Sequence, residues 1–233
     1  MELTEKLCAL LKENGAELVG IANMKNVQHC AYPVGISVAI SLPIHMIHDL
    51  ETAPTKEYYE VYFTLNNQLN HIVTLGAQFL RDNGYQAYAQ TTDAVKVNAD
   101  HVSPIPHKTV ATRAGLGWIG KNCLLVTKEY GSAVRLSSLL TDAPLTENQP
   151  WNESLCGNCH ICVDACPAGA LKGTLWSLGV MRDAIVDTTA CRDKQLEIMK
   201  NATGIEQDLC GKCFAVCSYT QRYIKTQRGS TDD

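Results

Sequence analysis

An α/β (α+β) fold in two parts is predicted: a sheet-and-helix layer over residues 1–147 and a small cysteine-built domain over residues 148–233. Three observations predict it. Strand-like and helix-like segments alternate through the first part, the pattern of an α/β layer. One helical period runs unbroken across residues 56–82. Eight of the eleven cysteines fall in the last third of the chain and set its pattern there.

The elements follow in order. Residues 3–14 read as a helix, with Leu3, Leu7, Leu10 and Leu11 on one face and Asn14-Gly15 at its end. Residues 19–22 form a short strand. Residues 34–42 are apolar and β-rich, closed by Pro43, and read as a buried strand. Across 56–82, Val61, Leu65, Leu69, Ile72 and Phe79 recur at steps near 3.6, and Asn83-Gly84 stops the helix. Residues 85–90 give another strand, and 98–106, with two prolines and no period, a loop. Residues 107–114 form a short helix ended by Gly115. Residues 122–127 and 133–140 are strands around a Tyr130-Gly131 turn. Residues 144–150 are polar and turn-rich, and residues 151–225 form short helices and loops around the cysteines.

Composition narrows the function. Apolar residues make up 45% of the chain, enough for a core. A formal charge of −4 gives no basic footprint for nucleic acid. No apolar run approaches 18 residues, so no membrane span is expected. The start, Met1 to Lys6, does not read as a leader, and the cysteine spacing does not read as a secreted disulfide framework. A reducing cytoplasm is the expected location.

Cys156, Cys159, Cys162 and Cys166-Pro167 spell C-x2-C-x2-C-x3-C-P, the run that builds one iron–sulfur cluster and lends its last cysteine to another. Cys191 and the set Cys210, Cys213 and Cys217 complete eight thiolates, the number two [4Fe–4S] clusters need. In that two-cluster, bacterial ferredoxin-like arrangement, Cys156, Cys159, Cys162 and Cys217 hold one cluster, and Cys166, Cys191, Cys210 and Cys213 the other. Cys217 is followed by Ser218 rather than proline. Zinc is the rival, since C-x2-C pairs also make tetrahedral sites. For Cys191 the rival is a thiol outside either cluster. Cys8 reads as packing, and Cys123 as a buried strand residue or a reactive thiol.

A second dense signal is Arg113 to Asn122, with Gly115, Gly117 and Gly120 in six residues. It matches G-x-G-x-x-G literally, but follows a helix and precedes a strand, the reverse of the dinucleotide-binding order. This segment, with Gly131-Ser132, Leu139, Thr141-Asp142-Ala143-Pro144-Leu145 and the cysteine run, resembles the epoxyqueuosine reductases and, more distantly, the reductive dehalogenases. The resemblance implies a nitroreductase-like α/β domain that holds cobalamin beside a two-cluster domain that reduces it. By position it implies that Gly117, Trp118, Ile119, Gly120, Lys121, Asn122, Cys123, Leu124 and Leu125, with Leu136 and Ser137, contact the corrinoid.

Two departures qualify what the resemblance implies. Epoxyqueuosine reductases continue into helical repeats that help hold tRNA, whereas this chain runs only 16 residues past Cys217; with its acidic charge, that argues against a tRNA substrate. The family's proton-donating aspartate falls on His101, with Asp100 beside it, and a family glutamate is replaced by His107. Asp100, His101 and His107 are therefore the candidate proton donors, a histidine being able to serve near neutral pH. The expected function is an iron–sulfur, cobalamin-dependent oxidoreductase. It would take electrons from a ferredoxin- or flavodoxin-type donor and reduce a small molecule or the corrinoid itself. The alternatives are a cobalamin-free ferredoxin-type carrier with a docking domain and, ranked lower, an epoxyqueuosine reductase.

Overall fold

The computed structural model describes residues 2–98 and 103–228. In chain order its elements are α1 (Leu3–Glu13), β1 (Leu18–Asn23), β2 (Val34–Ser41), α2 (Ile44–Asp49), α3 (Lys56–Asp82), β3 (Ala87–Ala89) and α4 (His107–Arg113). There follow β4 (Trp118–Ile119), β5 (Leu125–Val126), β6 (Val134–Thr141), α5 (Ile161–Asp164), α6 (Thr188–Thr203), α7 (Lys212–Ala215) and α8 (Ser218–Arg228). They form two compact units. One comprises Met1–Ile40, Thr64–Gly117 and Arg135–Trp151; the other comprises Ser41–Phe63, Trp118–Val134 and Asn152–Asp233.

The first unit is built on a sheet of order β1-β2-β6-β3, in which the β1–β2 and β3–β6 pairs are antiparallel. Side chains alternate across a strand. Val34, Ile36, Val38 and Ile40 of β2 therefore enter one cluster with Leu7 and Leu11 of α1 and Leu69, Ile72, Val73 and Leu80 of α3. Burying each such side chain contributes about 1.5–3 kcal/mol. The opposite face carries small residues. A Cβ on Gly20 would stand 2.2 Å from the Ala114 carbonyl oxygen, and one on Gly35 would stand 2.8 Å from Val110. These glycines let α4 lie directly on the sheet. With both faces covered, β2 is buried along all but its last residue, hence its unbroken apolar run.

In the second unit β4 and β5 pair antiparallel. The strand expected over 122–127 is reduced to Leu125–Val126 because the chain turns first: Cys123 adopts φ 59°, and its N–H donates to the Gly120 carbonyl at 2.9 Å. α5 and α7, one turn each, pack together and carry Cys162 and Cys213. α6 is longer than the short helices expected there. Asp187 caps it by accepting from Ala190 N–H, and Gly204 ends it in the left-handed conformation. Its apolar residues, among them Ala190, Leu196, Ile198 and Met199, form no continuous stripe, and Met199 is its one fully buried residue among those described. α8 is held by edge-on ring contacts, Trp118 with Tyr219 and Tyr130 with Tyr223. Gly131, at φ 59°, admits Thr220 so closely that a Cβ would fall 2.1 Å from the Thr220 nitrogen. Among the described residues no helix is long and apolar enough to cross a membrane.

The close seat of α4 gives a direct test. Gly20→Ala should destabilise the protein by about 1–3 kcal/mol through overpacking. Urea unfolding should show this as a lower midpoint at unchanged slope; an unmoved midpoint would contradict the packing described.

Candidate metal centre

The cysteine segment folds as a tight turn leading into a single helical turn. Gly157 reverses the chain at φ 50°, and Cys159 N–H donates to the Cys156 carbonyl at 3.0 Å. Cys162 sits within α5. Cys166 N–H closes onto Val163 at 3.2 Å, and Pro167, which lacks an N–H, ends the run. Far along the chain, Cys217 follows α7, its N–H bonded to the Phe214 carbonyl, and leads into α8.

Cys156, Cys159, Cys162 and Cys217 line one cavity, together with Lys121, Asn122 and Tyr219. Burial, and then the neighbouring Cys217, Cys156 and Cys159, push the Cys162 thiol up to about 12. A second quartet shows the same coupling. Burial raises the Cys213 thiol well above its ordinary range, and Cys210, Cys191, Cys162 and Cys166 add to it. Burial likewise raises Cys191 and Cys210, and each feels Cys166. Cys156, Cys159, Cys162 and Cys217 thus share one cavity, and Cys166, Cys191, Cys210 and Cys213 feel one another's charge, with Cys162 also acting on Cys213 and Cys123 on Cys191.

The donor chemistry fits iron. Crowded apolar thiols resist ionising because each thiolate repels the next; a cluster's positive irons supply the missing charge, and thiolates are its ordinary ligands. Among the described residues no three His, Cys, Asp or Glu side chains converge closely enough to hold one ion. Thiolates at C-x2-C-x2-C-x3-C spacing suit an iron cube, one thiolate per corner. No disulfide joins any two cysteines.

Polar groups that the sequence does not single out surround the sulfurs. The Ser132 hydroxyl is 4.0 Å from Cys217 Sγ and accepts from Asn122 Nδ2 at 2.9 Å; Ser132 N–H donates to the Thr220 hydroxyl at 3.0 Å. Ser218 Oγ lies 4.0 Å from Cys159 Sγ. Gln195 Nε2 donates to Cys191 Sγ at 2.9 Å, an i,i+4 contact along α6 that becomes legible once that helix is recognised.

The residues carried over as corrinoid contacts are placed as follows. Gly117 counts with the first unit and Trp118 to Leu125 with the second. Trp118, Ile119, Cys123 and Leu125 are buried. Trp118 packs on Tyr219, and Ile119 and Cys123 join the apolar cluster around Cys162 and Cys213. Lys121 and Asn122 line the cysteine cavity. Gly120 is buried and Leu124 half-buried. In the first unit Leu136 is half-buried, and the buried Ser137 hydroxyl donates to the Gln90 carbonyl. Cys8 packs against the first unit's core, and Cys30 Sγ bonds the Tyr32 carbonyl.

Asp100 and His101 lie outside the described residues. His107 begins α4, with Nδ1 2.8 Å from Ser138 Oγ, which also accepts from Gln90 Nε2 at 3.0 Å. Burial, and secondarily the Arg135 guanidinium, lower its pKa from 6.5 to about 4. The ring is therefore neutral near pH 7.

Residues 155–220 match the family model of the 4Fe-4S double cluster binding domain. Over 114 residues the chain is 40% identical to the epoxyqueuosine reductase of Listeria monocytogenes, a match that covers 48% of this chain and 29% of that protein. An epoxyqueuosine reductase solved with an epoxyqueuosine-modified tRNA-Tyr stem loop superposes with a TM-score of 0.63 at 19% identity, over 94% of this chain and 65% of that one. A reductive dehalogenase whose structure suggests a mechanism for B12-dependent dehalogenation superposes with a TM-score of 0.70 at 18% identity, over 98% of this chain and 34% of that one. The chain is a homologue of the epoxyqueuosine reductases, carries an iron–sulfur domain and shares its fold with both groups. The matched segment spans under a third of the Listeria relative.

His107 makes the first unit sensitive to acid. The depressed folded pKa means that its contribution is complete above pH 6.5 and is lost as pH falls toward 4, by at most about 3 kcal/mol. Thermal melts of wild type and His107→Gln should differ at pH 7 and converge toward pH 4.5. A constant difference across that window would contradict this account.

Proposed function

We propose that the chain is an iron–sulfur redox protein of the epoxyqueuosine reductase kind. Cys156, Cys159, Cys162 and Cys217 would hold one [4Fe–4S] cluster, and Cys166, Cys191, Cys210 and Cys213 the other. The observation that supports this most is the return of Cys217 to a cavity it shares with Cys156, Cys159 and Cys162. When bound, such clusters supply one-electron transfer. The protein's part is to place the sulfurs, exclude water by burying Cys162, Cys213 and Cys217, and direct Ser132, Ser218 and Gln195 toward ligand sulfurs. Because each cysteine run completes the other's quartet, metal binding and folding are coupled. Thiols kept for metal suit a reducing, cytoplasmic setting and a ferredoxin- or flavodoxin-type donor.

A bound cobalamin is proposed as the electron acceptor. The Arg113–Asn122 segment's resemblance and the fold of the B12-dependent dehalogenase support it. Trp118, Lys121, Asn122 and Cys123 have packing or cavity roles within their own unit, so within that unit the backbone of Gly120 and the half-buried Leu124 are the carried-over positions left to meet a corrinoid. On substrate, the acidic net charge and the presence of His101 favour a small molecule over epoxyqueuosine, and the relatives weigh the other way. The reductase from Listeria is an epoxyqueuosine reductase, and the structural neighbour carries a modified tRNA stem loop. Epoxyqueuosine reduction is therefore the reading to assay first, with small-molecule reduction second.

Two measurements follow. Anaerobic reconstitution should load about eight irons per chain. Cys162→Ser and Cys191→Ser should each lower the iron by about half, whereas one zinc per chain and no iron would contradict the proposal. Added cobalamin should shift its absorption bands on binding, and the loaded protein should reduce an epoxyqueuosine-modified stem loop. Unshifted bands would remove cobalamin, and an unchanged stem loop would return the substrate question to small molecules.

A further inference from the structure

Lys121 is the one buried lysine or arginine among the described residues. It is 3% exposed and lines the cavity of Cys156, Cys159, Cys162 and Cys217. Its Nζ lies 3.4 Å from His160 Nε2. A lysine ammonium has three donors and no acceptor, so in this pair the imidazole nitrogen is the group that accepts. A buried charge with only a neutral partner is costly. It is tolerated where an opposite charge is to be met, and four thiolates around a cluster provide one. The second quartet has no such buried cation. Lys212 acts on Cys210 through its charge and its own backbone N–H, but its side chain is partly exposed, where solvent screens the charge, and its ammonium donates to the Glu51 carbonyl; Cys191 Sγ accepts from the neutral amide of Gln195.

From this asymmetry we propose that Lys121 tunes the reduction potential of the cluster held by Cys156, Cys159, Cys162 and Cys217, setting it above that of the other cluster. Reduction adds one electron and therefore one negative charge. A nearby ammonium in a water-poor pocket stabilises the reduced form more than the oxidised one. Hydroxyls at two of the same sulfurs, from Ser132 and Ser218, act in the same direction. His160 is a positioning residue, holding the ammonium at the cavity wall. Lys121 and Asn122 belong by sequence to the segment whose resemblance assigns them to a corrinoid; in the folded chain they face the cysteines. Electrons would then pass downhill from the Cys191 cluster to the Cys156 cluster. The inference rests on the two-cluster reading proposed above.

The test is a potentiometric titration of the anaerobically reconstituted full chain, followed by electron paramagnetic resonance, for wild type, Lys121→Gln and Lys121→Arg. Iron is assayed in each sample. Lys121→Gln should lower one potential by about 59 mV, a tenfold change for a one-electron couple, leave the other in place and retain its iron. Lys121→Arg, which keeps the charge, should stay near wild type. Full iron with both potentials unmoved would overturn the inference while leaving the two-cluster reading intact; wild type without its iron would defeat that reading itself. Should Lys121→Gln fail to hold iron, wild type still decides. Cys156→Ser and Cys191→Ser assign the two signals, and the higher potential must belong to the Cys156 set; the reverse order would overturn the inference.

Discussion

Each quartet of sulfurs in this protein is completed by a residue from a distant part of the chain, and the second unit depends on that closure. Cys217 arrives at the cavity of Cys156, Cys159 and Cys162 from the end of α7, while Cys166, one helical turn beyond that run, joins Cys191, Cys210 and Cys213. In the proposed two-cluster arrangement, neither run alone supplies four ligands to one cluster. The paired single-turn helices α5 and α7 follow from this exchange, as does the course of α8, which must leave Cys217 and pass close over Gly131. The apolar content of the region is modest, centred on Ile119, Leu171, Ile185 and Val186 beside the cysteines. Chains with small cores commonly draw much of their stability from metal, and here the proposed ligands Cys162, Cys166, Cys191 and Cys213 pack against that core.

The first unit is organised by a different constraint, the need to cover both faces of a sheet. Large alternate residues of β2 meet α1 and α3 on one face, while Gly20 and Gly35 clear the other for α4. The pattern seats His107 at the start of α4, beside Ser138, where burial and the nearby Arg135 keep its ring neutral. A neutral histidine at this position is a product of packing rather than of local sequence.

Much of this was legible beforehand, and the boundary of legibility has physical causes. The helices α1 and α3 and the strand β2 were readable because each buries a stripe or a whole run of apolar side chains. The cysteine quartets were readable because cluster geometry fixes ligand spacing within a turn. α6 was not, since its apolar residues form no continuous stripe and its existence rests on the Asp187 and Gly204 caps and on carrying Cys191. The shortening of the strand at 122–127 depends on the left-handed conformation of Cys123, which no residue preference announces. Nor does a linear reading reveal that residues 41–63 and 118–134 belong to the same compact unit as the cysteine segment. That association turns Lys121, Asn122 and Ser132 into neighbours of sulfur.

The central claim is the exchange of ligands between the two runs. Mössbauer and paramagnetic resonance spectra of the reconstituted Cys217→Ser variant test it most directly. The account predicts that this substitution perturbs the same cluster as Cys156→Ser, although Cys217 stands beside Cys210 and Cys213 in sequence. Perturbation of the cluster that Cys210→Ser alters would contradict it.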